Sequence, residues 1–174
     1  ANYLVGGEAP KRLGNAHPNI VPYQDFPTLD GHMIIAVGND GQFARLCKEL
    51  GCAELATDPR YVTNRDRVQH RETLTETLCK HTRQRSTAQW VSALEVVGVP
   101  CGPINTLEGV FADAQVRARE MRIELPHPGA GTVPLVANPL RLSATPVRYT
   151  SAPPSLGQHT SQVLASALGL SHTQ

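Results

Sequence analysis

The chain has 174 residues, a length that suits a single domain. Its 16 Lys and Arg residues balance 15 Asp and Glu residues, and a net charge of +1 gives no sign of a nucleic-acid or acidic-membrane partner. The 40% hydrophobic content is enough for a core, and no apolar run approaches the roughly 20 residues of a membrane span. The four cysteines are scattered and form no CxxC pair, so the sequence predicts structural thiols in a reducing compartment and no metal site.

The first 19 residues are rich in glycine and proline, a composition that predicts a connector and excludes a long helix or central strand. Lys11 and Arg12 could face a phosphate or carboxylate, but a solvated basic pair is the favoured interpretation. The chain begins with Ala-Asn-Tyr-Leu-Val instead of Met, which suggests a fragment, although processing would leave the same start.

The next stretch predicts a β-hairpin that leads into a helix. Residues 23–26 form a short predicted strand between two prolines, and Asp30-Gly31 predicts a type I′ hairpin turn. Residues 32–37 are almost continuously apolar, which is typical of a strand covered on both faces. Asn39 then predicts a helix N-cap, and Gly51 the helix end. The apolar positions of this helix recur at helical spacing: Phe43, Leu46, Cys47 and Leu50.

Further helices and strands follow. Thr63 or Asn64 predicts the cap of one long helix that reaches about Thr82, and Ser86 to Gln89 is a capping-box pattern at the start of another. Two prolines make residues 99–103 extended, and Thr106 predicts the cap of a short helix.

The last part of the chain changes in character. Residues 121–125 and 133–135 alternate between apolar and polar side chains or prolines, as half-exposed strands do. From Asn138 onward repeated prolines predict an extended arm, which is followed by a helix over residues 158–168. The predicted fold class is therefore α+β, a small antiparallel sheet with several helices at about residues 20–143, flanked by two Pro-rich arms.

Several motifs resemble one enzyme family when they are taken in order and spacing. The sequence is similar to the C-terminal part of class III coenzyme A transferases, the CaiB/BaiF family, through GNAHPNIVPY at residues 14–23, AVGND at 36–40, DPR at 58–60, TNRDR at 63–67, GVPCGPIN at 98–105 and PPSLGQHT at 153–160. In that family a small domain is joined by two linkers to a Rossmann-like large domain, and two subunits interlock like rings. The resemblance implies a connector from an absent large domain over residues 1–19, a small domain over 20–143 and a return arm with a C-terminal helix over 144–174.

The resemblance also implies where the chemistry lies. Family members use an aspartate of the N-terminal large domain as the covalent nucleophile, and no segment here matches its surroundings, so we expect no catalytic residue in this chain. Four of the six aspartates, Asp30, Asp40, Asp58 and Asp66, have structural interpretations instead, in turns and at helix starts.

One segment is expected to lie near substrate. Gly14, Asn15, His17 and Pro18 align with the glycine-rich loop that closes over the active site in formyl-CoA transferase-like members. Only Gly14 is a glycine where those members carry several, so Asn15 and His17 could instead donate hydrogen bonds to a substrate carboxylate. The alternative is that both side chains satisfy backbone groups in a rigid turn before Pro18.

The implied function is transfer of coenzyme A from an acyl-CoA to a free carboxylic acid, with the coenzyme A thioester as substrate and no cofactor. The implied partners are the two substrates, the protein's own N-terminal large domain and a second subunit, with no nucleic acid and no membrane. The expected compartment is the cytoplasm, with mitochondria or peroxisomes as alternatives. Two other functions stay open at this stage, a 2-methylacyl-CoA racemase of the same family and a non-catalytic interaction module.

Overall fold

The computed structural model describes residues 2–7 and 9–170 of the chain. The predicted connector and return arm therefore extend in part into residues outside this description, namely Ala1, Glu8 and residues 171–174. The chain divides into two compact units, Ala1–Ile104 and Asn105–Gln174. The predicted boundaries at residues 19 and 143, which come from the family resemblance, stay a prediction.

The first unit contains a three-stranded antiparallel sheet and most of the helices. The sheet has the order β1-β2-β3, and β2 lies in its centre. The elements of this unit are α1 (Asn2–Gly6), β1 (Tyr23–Pro27), β2 (His32–Ala36), α2 (Asp40–Glu49), a 3-10 helix (Ala53–Ala56), α3 (Asn64–Gln69), α4 (Arg71–Thr82), α5 (Thr87–Val96) and β3 (Cys101–Pro103).

The core of this unit forms where helices cover the sheet. Met33 and Ile35 of β2 are fully buried, whereas on the other face His32 is exposed and Ile34 and Ala36 are half-buried, so the predicted cover on both faces is only partial. The predicted apolar stripe of α2 is buried as expected, and α4 and α5 add further large side chains. These are Leu74, Leu78, Trp90 and Leu94. All four thiols are unpaired, and Cys47 and Cys52 lie in the core.

The hairpin forms, but its turn differs from the prediction. The loop has four residues, closed by a hydrogen bond from Thr28 N to Gly31 O of 2.8 Å, and neither Asp30 nor Gly31 is in the left-handed region that a type I′ turn requires. The reason is a contact with a residue that is distant in the sequence. The Asp30 carboxylate accepts hydrogen bonds from the backbone N and the hydroxyl of Thr87, at 2.8 and 2.9 Å, and so holds the loop against the start of α5.

The predicted long helix after Thr63 is interrupted. α3 ends at Gln69 and α4 begins at Arg71, because His70 leaves helical geometry with φ −110° and ψ 27°. Its ring packs edge-on against Tyr61, with ring centroids 6.2 Å apart. The side-chain contact of His70 therefore accompanies a break that the sequence pattern does not show.

The second unit contains a two-stranded antiparallel sheet with short helices. Its elements are α6 (Leu107–Ala112), α7 (Ala114–Ala118), β4 (Arg122–His127), β5 (Gly131–Val136) and α8 (Thr160–Leu168). Residues 138–159 contain no helix or strand, in agreement with the extended segment that the prolines predict. Ala137 is the one fully buried hydrophobic residue among the described residues of this unit. The α+β prediction is thus confirmed, with two small antiparallel sheets in place of one.

No helix in the described ranges is both long and apolar enough to cross a membrane.

Candidate functional site

The candidate site is the segment that precedes β1, and it begins with a tight turn at Gly14. Ala16 N donates a hydrogen bond of 3.1 Å to Leu13 O across this turn, and Gly14 has φ +62°. A Cβ atom added at Gly14 would meet no other atom within 4 Å. Glycine is therefore suited to this position by its backbone conformation, and the space beside it is open.

Each polar side chain of the predicted loop is tied to a neighbouring backbone group. The Asn15 Oδ1 atom accepts a hydrogen bond of 3.5 Å from Asp25 N on β1, a long and therefore weak contact. His17 N donates to Tyr23 O at 2.9 Å, which connects the loop to the start of the same strand. The His17 ring stacks on the Tyr23 ring, with centroids 5.3 Å apart and planes inclined by 13°.

Two residues of the following helices hold the loop through its carbonyl oxygens. Arg71 donates from Nη1 to His17 O at 3.1 Å and from Nη2 to Pro18 O at 2.7 Å. Asn64 donates from Nδ2 to Asn19 O at 2.8 Å and accepts from Val21 N at 3.1 Å. These bonds satisfy backbone groups that have no strand partner, so the path of residues 17–21 is fixed by side chains.

Arg67 continues this row of donors inside the core. It is fully buried, and it donates from Nε to Val21 O at 2.7 Å and from Nη1 to Tyr61 O at 2.9 Å. Its Nη2 atom forms an ion pair of 2.8 Å with Asp40, whose side chain is 57% exposed. The guanidinium also lies over the Phe43 ring at 4.4 Å, an attractive cation–π arrangement. The buried charge is therefore fully supplied with partners, as a buried arginine must be.

An open depression lies beside the loop. Its volume is about 1140 Å³, and it is lined by α1, residues 9–11, Leu13, Pro18, Asn19 and the junction of α3 with α4. Among the residues that the structure describes, Lys11 and Arg71 are the charged members of its lining. Lys11 and Arg12 are both solvent-exposed, and Lys11 lines the depression.

The aspartates perform the structural roles expected of them. The backbone N–H of Thr87 lowers the pKa of Asp30 more than any other group does, and the Arg60 side chain lowers the pKa of Asp58 to about 2. Asp66 closes the capping box of α3, and the hydrogen bond that its carboxylate accepts from the Thr63 hydroxyl lowers the pKa of Asp66. These carboxylates are ionised and hydrogen-bonded, which suits turns and caps better than nucleophilic attack.

The structure brings Gly14, Asn15, His17 and Pro18 together in one continuous loop against β1 and α4. Sequence reasoning missed the residues that hold this loop, Asn64, Arg67 and Arg71. Their spacing of three and then four positions was the available signal, because it is the spacing of side chains on one face of a helix. Within the described residues, no group of three His, Cys, Asp or Glu side chains is arranged to hold a metal ion.

Comparison with known proteins gives a consistent result. Residues 1–160 match the sequence model of a family described as CoA-transferase family III. The chain is 48% identical over 164 residues to succinate–glutarate CoA-transferase of Agrobacterium fabrum, and the match covers 94% of this chain and 41% of that protein. It is 42% identical over 168 residues to succinyl-CoA:glutarate CoA-transferase of Mus musculus, with 97% of this chain and 38% of that protein covered.

A solved structure shows the same fold. The crystal structure of a CaiB/BaiF family protein from Brucella suis matches with a TM-score of 0.77 and 45% identity over 95% of this chain. The match covers 42% of that chain. The protein described here thus spans about two fifths of the length of these relatives.

Proposed function

The chain belongs to CoA-transferase family III, and on that premise we propose that it takes part in moving coenzyme A from an acyl-CoA to a free carboxylic acid. The observation that carries the proposal is the family match over residues 1–160, together with identities of 40% or more to transferases whose names include succinyl-CoA or succinate and glutarate. The proposed substrates are therefore a dicarboxylic acyl-CoA and a dicarboxylic acid. Coenzyme A enters as part of the substrate, and no other cofactor is proposed.

The proposed chemistry uses an aspartate carboxylate that polypeptide outside this chain supplies. The carboxylate attacks the thioester carbonyl, the coenzyme A thiolate leaves, and a mixed anhydride forms. The thiolate then attacks the aspartyl carbonyl, which releases the donor acid and leaves an aspartyl-CoA thioester. The acceptor carboxylate repeats these two steps in reverse order, so that the new acyl-CoA is released and the aspartate is restored.

The contacts of four of the six aspartates fit that division of labour. Asp30, Asp58 and Asp66 hold a loop, a turn and a helix cap, and Asp40 pairs with the buried Arg67. A carboxylate that accepts such hydrogen bonds is stabilised as an anion, which makes it a poorer nucleophile.

The role proposed for this chain is to present the Gly14 loop to the acyl group. The loop would shield the anhydride and thioester from water, since hydrolysis of either ends the reaction without transfer. The open space beside Gly14, and the cations Lys11 and Arg71 in the lining of the adjoining depression, suit an anionic substrate. In the proposed assembly a Rossmann-like domain supplies the other wall of the site, two subunits interlock as a homodimer, and the enzyme acts in the cytoplasm.

The test is a transfer assay on the complete gene product. Incubation with succinyl-CoA and glutarate should yield glutaryl-CoA and succinate, and incubation with succinyl-CoA alone should leave coenzyme A attached to one aspartate, both identified by mass spectrometry. The 174-residue chain by itself serves as the control and should show no turnover. Turnover by the chain alone would refute the placement of the nucleophile. Epimerisation of a 2-methylacyl-CoA without any transfer would refute the proposed activity in favour of a racemase.

A further inference from the structure

The ring of His17 is held in one orientation by contacts that leave one of its nitrogens available. Asn19 N donates a hydrogen bond of 3.1 Å to His17 Nδ1, and the ring face stacks on Tyr23. No hydrogen bond to Nε2 of His17 exists within the part of the chain that the structure describes. Because no buried side-chain nitrogen or oxygen in that part lacks a partner, Nε2 must be accessible to solvent.

This geometry determines which nitrogen carries the hydrogen. A backbone N–H is always a donor, so the Nδ1 atom that it meets must present its lone pair. In the neutral imidazole the hydrogen then resides on Nε2, and the tautomer follows from the hydrogen-bond network. His17 thus offers one N–H group outward from a fixed ring.

The chain contains an internal comparison for the turn itself. His127, Pro128 and Gly129 repeat the pattern of His17, Pro18 and Asn19, and Gly129 N donates to His127 Nδ1 at the same distance of 3.1 Å. The ring-to-backbone bond is therefore a property of a His-Pro turn and does not by itself indicate a binding site. What distinguishes His17 is the stacking of its ring on Tyr23 and the Arg71 guanidinium that binds its carbonyl.

The anchors of His17 also supply charge. Its backbone N–H and carbonyl are both occupied, and the group that occupies the carbonyl is the Arg71 guanidinium, at 3.1 Å. The 3.1 Å distance is to the backbone carbonyl of His17, so the guanidinium places a positive charge beside the loop, and such a charge favours an anionic ligand there. Gly14, three residues earlier, leaves the adjoining space open.

From this arrangement we propose that His17 is a substrate-binding residue, whose Nε2–H group donates a hydrogen bond to an acyl oxygen of the substrate. The oxygen belongs either to the carboxylate of the free acid or to the carbonyl of the thioester. Both oxygens accept hydrogen bonds, the first because it is anionic and the second because it is polarised. The proposal rests on the transferase function and assigns His17 the role of a donor, not of a general base.

Two substitutions separate this role from a role in the turn. His17→Asn keeps a side-chain oxygen that can accept from Asn19 N, but it has no atom where Nε2 lies. His17→Gln places an amide N–H₂ near the position of Nε2 and loses the acceptor at Nδ1. His127→Asn is the matched control, because it changes the same turn pattern outside the proposed site.

The kinetic test uses the complete gene product with succinyl-CoA and glutarate. His17→Asn should lower kcat/KM by about 10- to 100-fold, the range for loss of a hydrogen bond to a charged or polarised group. His17→Gln should retain at least about tenfold more activity than His17→Asn, and His127→Asn should match the wild type. A loss confined to kcat/KM for glutarate assigns the bond to the free acid, and a loss confined to succinyl-CoA assigns it to the thioester. Equal losses in His17→Asn and His17→Gln, or no loss in either, would overturn the proposal.

A second measurement does not depend on turnover. The ¹⁵N spectrum of the His17 imidazole, assigned by its absence in His17→Asn, should show the Nε2–H tautomer, and glutarate or succinyl-CoA should shift Nε2 more than Nδ1. A ring with its hydrogen on Nδ1 would overturn the donor role even in an active enzyme. An inactive enzyme that still shows the Nε2–H tautomer and a ligand-dependent shift would contradict the transferase function and leave the donor role standing.

Discussion

Replacing Arg67 by methionine tests how the loop and the core are held together. Methionine keeps an unbranched side chain of similar length and its contact with Phe43, so the substitution removes the guanidinium without opening a large cavity. It leaves two buried carbonyl oxygens, those of Val21 and Tyr61, without their donors at 2.7 and 2.9 Å. It also leaves Asp40 without its ion-pair partner.

The magnitude follows from these contacts. Each buried carbonyl that loses its donor costs about 1–3 kcal/mol. The ion pair adds less than about 1 kcal/mol, because the Asp40 side chain is 57% exposed and the pair is screened by solvent. We therefore expect Arg67→Met to lower the free energy of unfolding by about 3–5 kcal/mol, a large part of the stability of an ordinary domain.

The assay is urea unfolding of the chain at pH 7, followed by tryptophan fluorescence. Trp90 is the one tryptophan in the sequence and is 2% exposed in the core of the first unit, so its emission reports the unfolding of that unit. The control is Arg65→Met, at an exposed position on the same helix, which should lower the free energy of unfolding by less than about 0.5 kcal/mol. A cost below about 1 kcal/mol for Arg67→Met would refute this reasoning, and so would an equal cost for Asp40→Asn, because the ion pair would then dominate.

Three further predictions concern acid, the loop and the arm. Folding lowers the pKa of Asp30, Asp58 and Asp66, so these carboxylates stabilise the protein above their unfolded pKa and lose this effect when they are protonated. The free energy of unfolding should therefore fall as the pH drops from about 4 toward 2. Urea midpoints measured across that range test this prediction, and a rise in the midpoint would contradict it. Gly14→Ala should lower the free energy of unfolding by about 1 kcal/mol, because alanine is strained at a φ of +62°. Gly102→Ala, at an open site where φ is not positive, should show no comparable loss in the same urea assay. Trypsin should cut after the exposed Arg148 before it cuts after the buried Arg67, and mass analysis showing the reverse order would contradict the extended arm.

Local patterns in the sequence predicted the helix starts well. The side chains of Asn39, Thr63, Ser86 and Thr106 each accept the expected hydrogen bond from the backbone of the first turn. A cap depends on about four consecutive residues, so its signal is complete within the sequence. The Asp30 turn failed as a prediction because its carboxylate bonds to Thr87, which is 57 residues away.

The candidate site could be predicted only in part, for the same reason. The family resemblance indicated residues 14–18, and Gly14 proved to have the positive φ that a glycine permits. The anchors of the loop join residues 43 to 54 positions apart, and no local pattern contains such pairs. The stacking of His17 on Tyr23 is closer in sequence, but it depends on the path that those anchors impose.

The anchors also determine which part of the loop can move. Four backbone carbonyls between residues 17 and 21 accept hydrogen bonds from the side chains of Asn64, Arg67 and Arg71. Helix α4, which carries Arg71, packs into the core through Leu74 and Leu78. Displacement of His17 would therefore break several hydrogen bonds of a well-packed helix face, whereas the Gly14 side of the loop is held by the turn bond from Ala16 N to Leu13 O and by the weak contact of Asn15 with Asp25. A donor must be fixed before the substrate arrives if its hydrogen bond is to favour the reaction without a cost of ordering. The loop thus combines a well-anchored end that carries the imidazole with a more weakly held end at Gly14, and in the proposed function any closure over substrate would occur before His17 in the chain.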